Sequence, residues 1–134
     1  MKYALILEKD LESTKKIARI LSWLGYTSAP VQTPSQAVNA VNAVKFDLVI
    51  TCLAKSAHER RALTGELKRL APDAAVILVR DNEERITHCP GISAIIERPT
   101  SYNELRSIVE FGIDGSGLQH VYMPPKYERR KNRA

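Results

Sequence analysis

The chain has 134 residues, with 20 Lys+Arg against 15 Asp+Glu for a formal charge of +5, and 44% of its residues are hydrophobic. That length suits one domain with a core of its own, and the ordinary balance of apolar and charged residues excludes a wholly disordered chain. No apolar run approaches the ~20 residues of a membrane span, no signal-peptide pattern opens the chain, and Cys52 and Cys89 are too few for a disulfide scaffold, so a reducing cytoplasmic setting is expected.

Tyr3-Ala4-Leu5-Ile6-Leu7 is a continuous apolar run closed by Glu8-Lys9-Asp10, the pattern of a strand buried on both faces. Asp10 is placed to cap a helix in which Leu11, Ile17, Ala18, Leu21 and Leu24 recur at helical spacing. Gly25 is its natural stop, because glycine accepts the left-handed conformation that ends many helices. A weaker strand is expected over residues 27–31. Thr33-Pro34-Ser35-Gln36 then reads as a helix start, with a hydroxyl cap, proline at the first helical position and Gln three residues after the cap. The repeated Ala-Val-Asn triplets at 37–42 give that helix a small-residue face suited to close packing on a sheet.

Asp47-Leu48-Val49-Ile50-Thr51-Cys52-Leu53 is the second clear buried strand. Ser56-Ala57-His58-Glu59 is a capping box, predicting a helix with Leu63, Leu67 and Leu70 inward and Arg60, Arg61, Lys68 and Arg69 outward. Pro72-Asp73 ends it. Residues 75–79 are a third apolar run, residues 94–96 a shorter fourth, and Ser101-Tyr102-Asn103-Glu104 caps a last helix with Leu105, Ile108, Val109 and Phe111 as its buried stripe. Apolar strands alternating with helices predict an α/β domain with a parallel sheet covered on both faces.

This order, with the acidic end of the first strand, the Asp47-Leu48-Val49-Ile50 run and Arg98-Pro99 after the last strand, resembles the response-regulator receiver (CheY-like) domain over residues 2–113. The resemblance implies a doubly wound, five-stranded parallel sheet in the order 2-1-3-4-5, with its site at the carboxyl ends of the strands. In the family an acidic pair and a central aspartate hold magnesium, the aspartate takes a phosphoryl group, and a Ser/Thr and a Lys contact its oxygens. Here Glu8 keeps one acidic position, Lys9 falls on the other, Cys52 stands for the phosphorylated aspartate, Arg80 for the hydroxyl residue and Arg98 for the lysine. A cation at the metal position repels the ion, and a thiol neither ligates a hard cation nor forms the acyl phosphate. The expectation is a degenerate pseudo-receiver that is no enzyme, needs no metal or cofactor, and acts through protein contacts, either as a homodimer or with an output partner.

The output pattern departs as well. Ile95 sits where active receivers carry the strand-five aromatic, and only ten residues separate Arg80 from Gly91, so a shortened or irregular fourth helix is expected. Glu8, Lys9, Arg80 and Arg98 are expected to converge, as a residual salt-bridge cluster or as an anion pocket. Cys52 reads as a small apolar filler or as a redox sensor. His58, His88 and His120 have no metal-site spacing. Trp23 and Tyr26 read equally as core or as part of a docking patch.

Residues 1–115 hold 15 basic and 14 acidic side chains, whereas Lys126, Arg129, Arg130, Lys131 and Arg133 face Glu128 alone after them. The body, residues 1–114, is thus nearly neutral, and the excess charge belongs to a linker and basic tail over 115–134 that opens on Gly115-Ser116-Gly117 and includes Pro124-Pro125. Charge confined to a tail argues against a nucleic-acid-binding face, leaving at most salt-sensitive contacts through the tail itself. Arg129 and Arg133 resemble the RxxxR leader of a PilZ domain, a family that clamps cyclic di-GMP. That resemblance implies the front part of a receiver–PilZ protein, with the nucleotide held by those two guanidinium groups.

Overall fold

The computed structural model describes residues 2–51, 57–80, 92–97 and 100–112, with the backbone alone at 57, 58, 60, 80, 97, 111 and 112. The strands are β1 (Lys2–Leu7), β2 (Tyr26–Val31), β3 (Leu48–Thr51), β4 (Ala75–Arg80) and β5 (Ala94–Glu97). The helices are α1 (Leu11–Trp23), α2 (Pro34–Ala43), α3 (Ala57–Leu70) and α4 (Tyr102–Ser107), and α4 runs on into a π-helical turn, Ile108–Gly112. All strand pairs are parallel, as the sequence pattern predicts, in the order β2-β1-β3-β4-β5 that the resemblance implies. The segment expected to hold a shortened fourth helix, residues 81–91, lies outside the described residues.

Local chemistry fixes the starts and stops. The Asp10 carboxylate accepts from the Ser13 amide at 3.2 Å and caps α1. Gly25 ends it at φ 92°, a conformation that costs a side-chain-bearing residue strain. Thr33 Oγ1 accepts from the Gln36 amide at 3.1 Å, while the Gln36 side chain accepts from the Gln32 amide at 2.8 Å. Both halves of that start signal are therefore used.

Alternation along the strands splits the core into two layers. Ala4, Ile6, Leu48, Ile50, Ile77 and Ile96 face α1 and α4, where Ile17, Leu21, Leu105 and Ile108 meet them. Leu5, Leu7, Val49 and Val76 face α2 and α3, against Ala37, Val41, Leu63 and Leu67. The small residue Ala37 is fully buried, as the triplet pattern predicts. Each fully buried Leu or Ile contributes on the order of 1.5–3 kcal/mol.

β2 is one edge of the sheet. The Val31 carbonyl accepts from the Glu8 amide, so Val31 faces β1, and strand alternation turns Pro30 toward the open edge. A residue without an N–H thus occupies the unpaired side of the strand.

Three expectations need correction. Leu11 is 59% exposed and not part of the buried stripe of α1. At ~100° per residue it lies ~120° around the helix from Ile17, so its apolar character follows the run but not the face. Lys68 does not project freely outward; its ammonium donates to the carbonyls of Pro72 (3.1 Å) and Ala74 (2.8 Å), holding the turn that leads into β4. The last helix, finally, changes winding at Ile108, which the periodicity of its apolar residues does not reveal.

Candidate functional site

The sheet register brings the carboxyl ends of β1, β2 and β3 level, pairing Leu7 with Val31 and Thr51, while β4 and β5 run two residues further: Thr51 pairs with Leu78, and Arg80 with Glu97. The residues that succeed these strand ends therefore share one rim. After β1 the chain continues the ladder for one residue, because the Glu8 amide donates to the Val31 carbonyl at 3.1 Å. This places the Glu8 carboxylate at the rim with only 4% of the residue exposed. A carboxylate so buried needs donors. The Asp10 amide supplies one at 2.9 Å to Glu8 Oε1.

The three charged residues of this turn have separate duties. Glu8 points inward and Lys9 is exposed to solvent. Asp10 is engaged by the start of α1: its Oδ2 takes the Ser13 amide and the Ser13 hydroxyl, at 3.2 and 2.8 Å, and its carbonyl takes the Thr14 hydroxyl at 2.9 Å. The acidic residue nearest Glu8 in sequence is thus committed to capping a helix, and a cation stands between the two.

Those residues do not make a donor set for a hard divalent cation, which takes several oxygen ligands. Glu8 already accepts a backbone bond, Asp10 is a helix cap, and Lys9 carries the wrong sign. Among the described residues no group of three His, Cys, Asp or Glu is arranged to hold a metal ion. Among the described residues, the turn after β1 does not supply the oxygen ligands of the magnesium ion that the resemblance implies.

At the end of β3, Thr51 is only 1% exposed, and among the described residues its Oγ1 has no hydrogen-bond partner. The residue after it, Cys52, lies outside the described residues, as do Arg98, Arg129 and Arg133; Arg80 is described by its backbone, as the last residue of β4. Of the sequence-predicted cluster, then, Glu8 and Lys9 are placed in full and Arg80 by its backbone. Ile95, at the position of the family's aromatic, pairs with Leu78 and is buried in a small cluster with Leu78 and Ile92. An aliphatic side chain fills that spot.

Sequence reasoning missed two polar groups. One is the Thr51 hydroxyl, hidden inside an apolar run where β-branching alone explains a threonine. The other is Glu104, the third helical residue of α4: Ser101 Oγ accepts from its amide at 3.2 Å as a cap should, but Glu104 Oε1 is buried with no hydrogen-bond partner among the described residues. Burial pushes the Glu104 carboxyl above the usual glutamate range.

No protein-family profile matches the sequence, and no curated protein matches it. Solved structures do. A CheY-like response-regulator receiver domain from Methylobacillus flagellatus has a TM-score of 0.74 at 20% identity, covering 84% of this chain and 98% of that one. The N-terminal domain of a response regulator/sensory box/GGDEF three-domain protein from Carboxydothermus hydrogenoformans has a TM-score of 0.70 at 20% identity, covering 97% of this chain and 99% of its own. A chain from the complex of histidine kinase ThkA with response regulator protein TrrA has a TM-score of 0.69 at 17% identity, covering 85% and 100%. The fold of this chain is the CheY-like receiver fold. Among the described residues no helix is long and apolar enough to cross a membrane.

Proposed function

We propose that this chain is a receiver-type signalling module that does not undergo aspartyl phosphorylation and acts through protein contacts, as a homodimer or on an attached or separate output partner. The carrying observation is the turn after β1: Glu8 is buried, Asp10 is spent on the cap of α1, and exposed Lys9 stands between them. A metal-assisted phosphoryl transfer to a carboxylate needs oxygen ligands there and a carboxylate nucleophile at the position after Thr51, where the sequence supplies Cys52. Arg80 and Arg98, in place of a hydroxyl residue and a lysine, fit the same reading. In this reading the chain is not an enzyme and carries no cofactor.

Incubation with acetyl phosphate or beryllofluoride and magnesium tests it. The expected result is an unchanged mass and an unchanged amide spectrum. A stoichiometric phospho-adduct overturns the reading.

A second reading rests on the spacing of Arg129 and Arg133 after the Gly/Ser and Pro-Pro linker. In that reading the receiver fold precedes a PilZ-type module, and the two guanidinium groups hold cyclic di-GMP by bridging its phosphates and stacking on guanine. Calorimetric titration of cyclic di-GMP into the chain and into a C-terminally extended form distinguishes the readings. Binding abolished by Arg129→Ala supports the second; no binding in either form removes it.

A further inference from the structure

The end of the sheet opposite the rim holds a recess of about 310 Å³, where the chain leaves α2 for β3 and α3 for β4. That is room for side chains and not for a helix, which is ~10–12 Å across. Buried Val41 and Phe46 and part-buried Leu70 supply its apolar lining. Val44, 45% exposed, stands at its mouth. Each turn also brings one charged side chain to it, exposed Lys45 from the first and exposed Asp73 from the second.

The walls are held by the chain's own bonds. The Val44 amide donates to the Ala40 carbonyl at 2.9 Å and closes α2, and the Ala71 amide donates to the Leu67 carbonyl at 2.8 Å and closes α3. The Lys68 ammonium ties the second turn through the Pro72 and Ala74 carbonyls. Covering a recess so preformed costs little ordering entropy. The surface beside it is poor in charge: α2 carries no charged side chain, in a chain that is 26% charged. Depletion of charge marks the core of protein interfaces. Among the described residues, neither Lys45 nor Asp73 is in an ion pair.

We propose that this recess is one half of a two-fold contact between copies of the chain, in which Val44 of each copy enters the recess of the other and Lys45 meets Asp73 across the axis in both directions. The charge pattern selects a second copy as the occupant. A two-fold contact sets one patch against itself, so the patch must be its own complement. One cation and one anion beside a neutral apolar recess satisfy that condition, and exposed Val44 supplies the knob for the hole. An acidic or a basic partner would find no net charge to match. The contact lies at the far end of the strands from Glu8 and Lys9, so it leaves the rim uncovered. The inference rests on the protein-contact part of the function proposed above, in its homodimer form, and not on the loss of phosphorylation.

Sedimentation velocity of the full chain between ~10 µM and ~1 mM tests the contact. A reversible monomer–dimer equilibrium is expected, because two turns and a helix end make an interface at the small end of the specific range. Val44→Glu is expected to weaken dimerisation at least ~10-fold, with an unchanged circular dichroism spectrum because the side chain is exposed. Lys45→Asp sets a carboxylate against Asp73 of the other copy, and Asp73→Lys sets an ammonium against Lys45. Each is expected to dimerise ~10-fold more weakly on its own. Mixing the two single variants is expected to restore association, because one copy then presents two anions to the two cations of the other.

A chain that stays monomeric across this range overturns the proposal, and leaves the function proposed above resting on an output partner. A dimer indifferent to all three substitutions overturns it too, since the contact then lies elsewhere, and so do single variants that fail to associate on mixing. The arms are separable from the function test: a beryllofluoride adduct in a chain whose dimerisation follows the expected pattern overturns the loss of phosphorylation and leaves this contact standing.

Discussion

The interior of the sheet and its carboxyl rim obey different rules. Along β1, β3 and β4 the described side chains are almost wholly apolar and buried, split by alternation between the α1/α4 layer and the α2/α3 layer. Beyond the end of β1, a buried glutamate, an exposed lysine and a capping aspartate succeed one another. The interior specifies the fold, because burial and alternation admit few substitutes. In the function proposed above it is the rim that sets the chemistry, and an exposed residue there, such as Lys9, bears little on how the strands pack. A receiver fold can in this way persist while the rim ceases to resemble a phosphorylation site.

The sharpest way to break this contrast is in the interior. Leu67, fully buried between α3 and the sheet, should on replacement by alanine lower the urea-unfolding free energy by ~2–5 kcal/mol, the cost of a core cavity. At the rim the effects are smaller and depend on duty. Asp10→Ala should cost ~1 kcal/mol through loss of the α1 cap, with Asp10→Asn restoring most of it, whereas Lys9→Asp next door should fall within ~0.5 kcal/mol. If Lys9→Asp proves as costly as Asp10→Ala, the rim is less free than the contrast claims.

The smallest effect concerns Glu104. Its carboxyl is raised by burial, so the folded protein holds this proton more tightly than the unfolded chain does. The resulting stabilisation is complete below the unfolded glutamate value of ~4.3 and is lost as pH rises through the higher folded value. Glu104→Gln should flatten that part of the stability–pH profile and raise the melting temperature at neutral pH relative to the parent. A parent profile that rises with pH across this window, with the variant unchanged, would contradict the assigned burial.

Much of the fold is legible in the sequence, for identifiable reasons. The caps at Asp10, Thr33 and Ser101 are readable because each lies at the junction of a polar cluster and an apolar run. Gly25 marks a stop that the backbone realises at positive φ. What stays hidden depends on direction rather than composition. Leu11 looks like the start of a stripe until its angle around the helix is known, and Lys68 looks solvent-bound until the turn after α3 brings two carbonyls within reach. The exposure of Trp23 belongs to the same class, since aromatic side chains serve cores and surfaces alike. At the site, the sequence identifies the odd residue, Lys9, and the capping duty of Asp10, but not that Glu8 turns inward and accepts from the Asp10 amide.

Pro30 constrains how copies or partners of this chain can assemble. An incoming strand that tried to lengthen the sheet past β2 would find no donor at that position, and the added ladder would be broken there. Growth of the sheet by edge-to-edge addition, the route to swapped or fibrous assemblies, is thereby disfavoured on that side. Contacts there must be made through side chains rather than through a shared backbone ladder, so specificity at that flank is a matter of which residues its helices display.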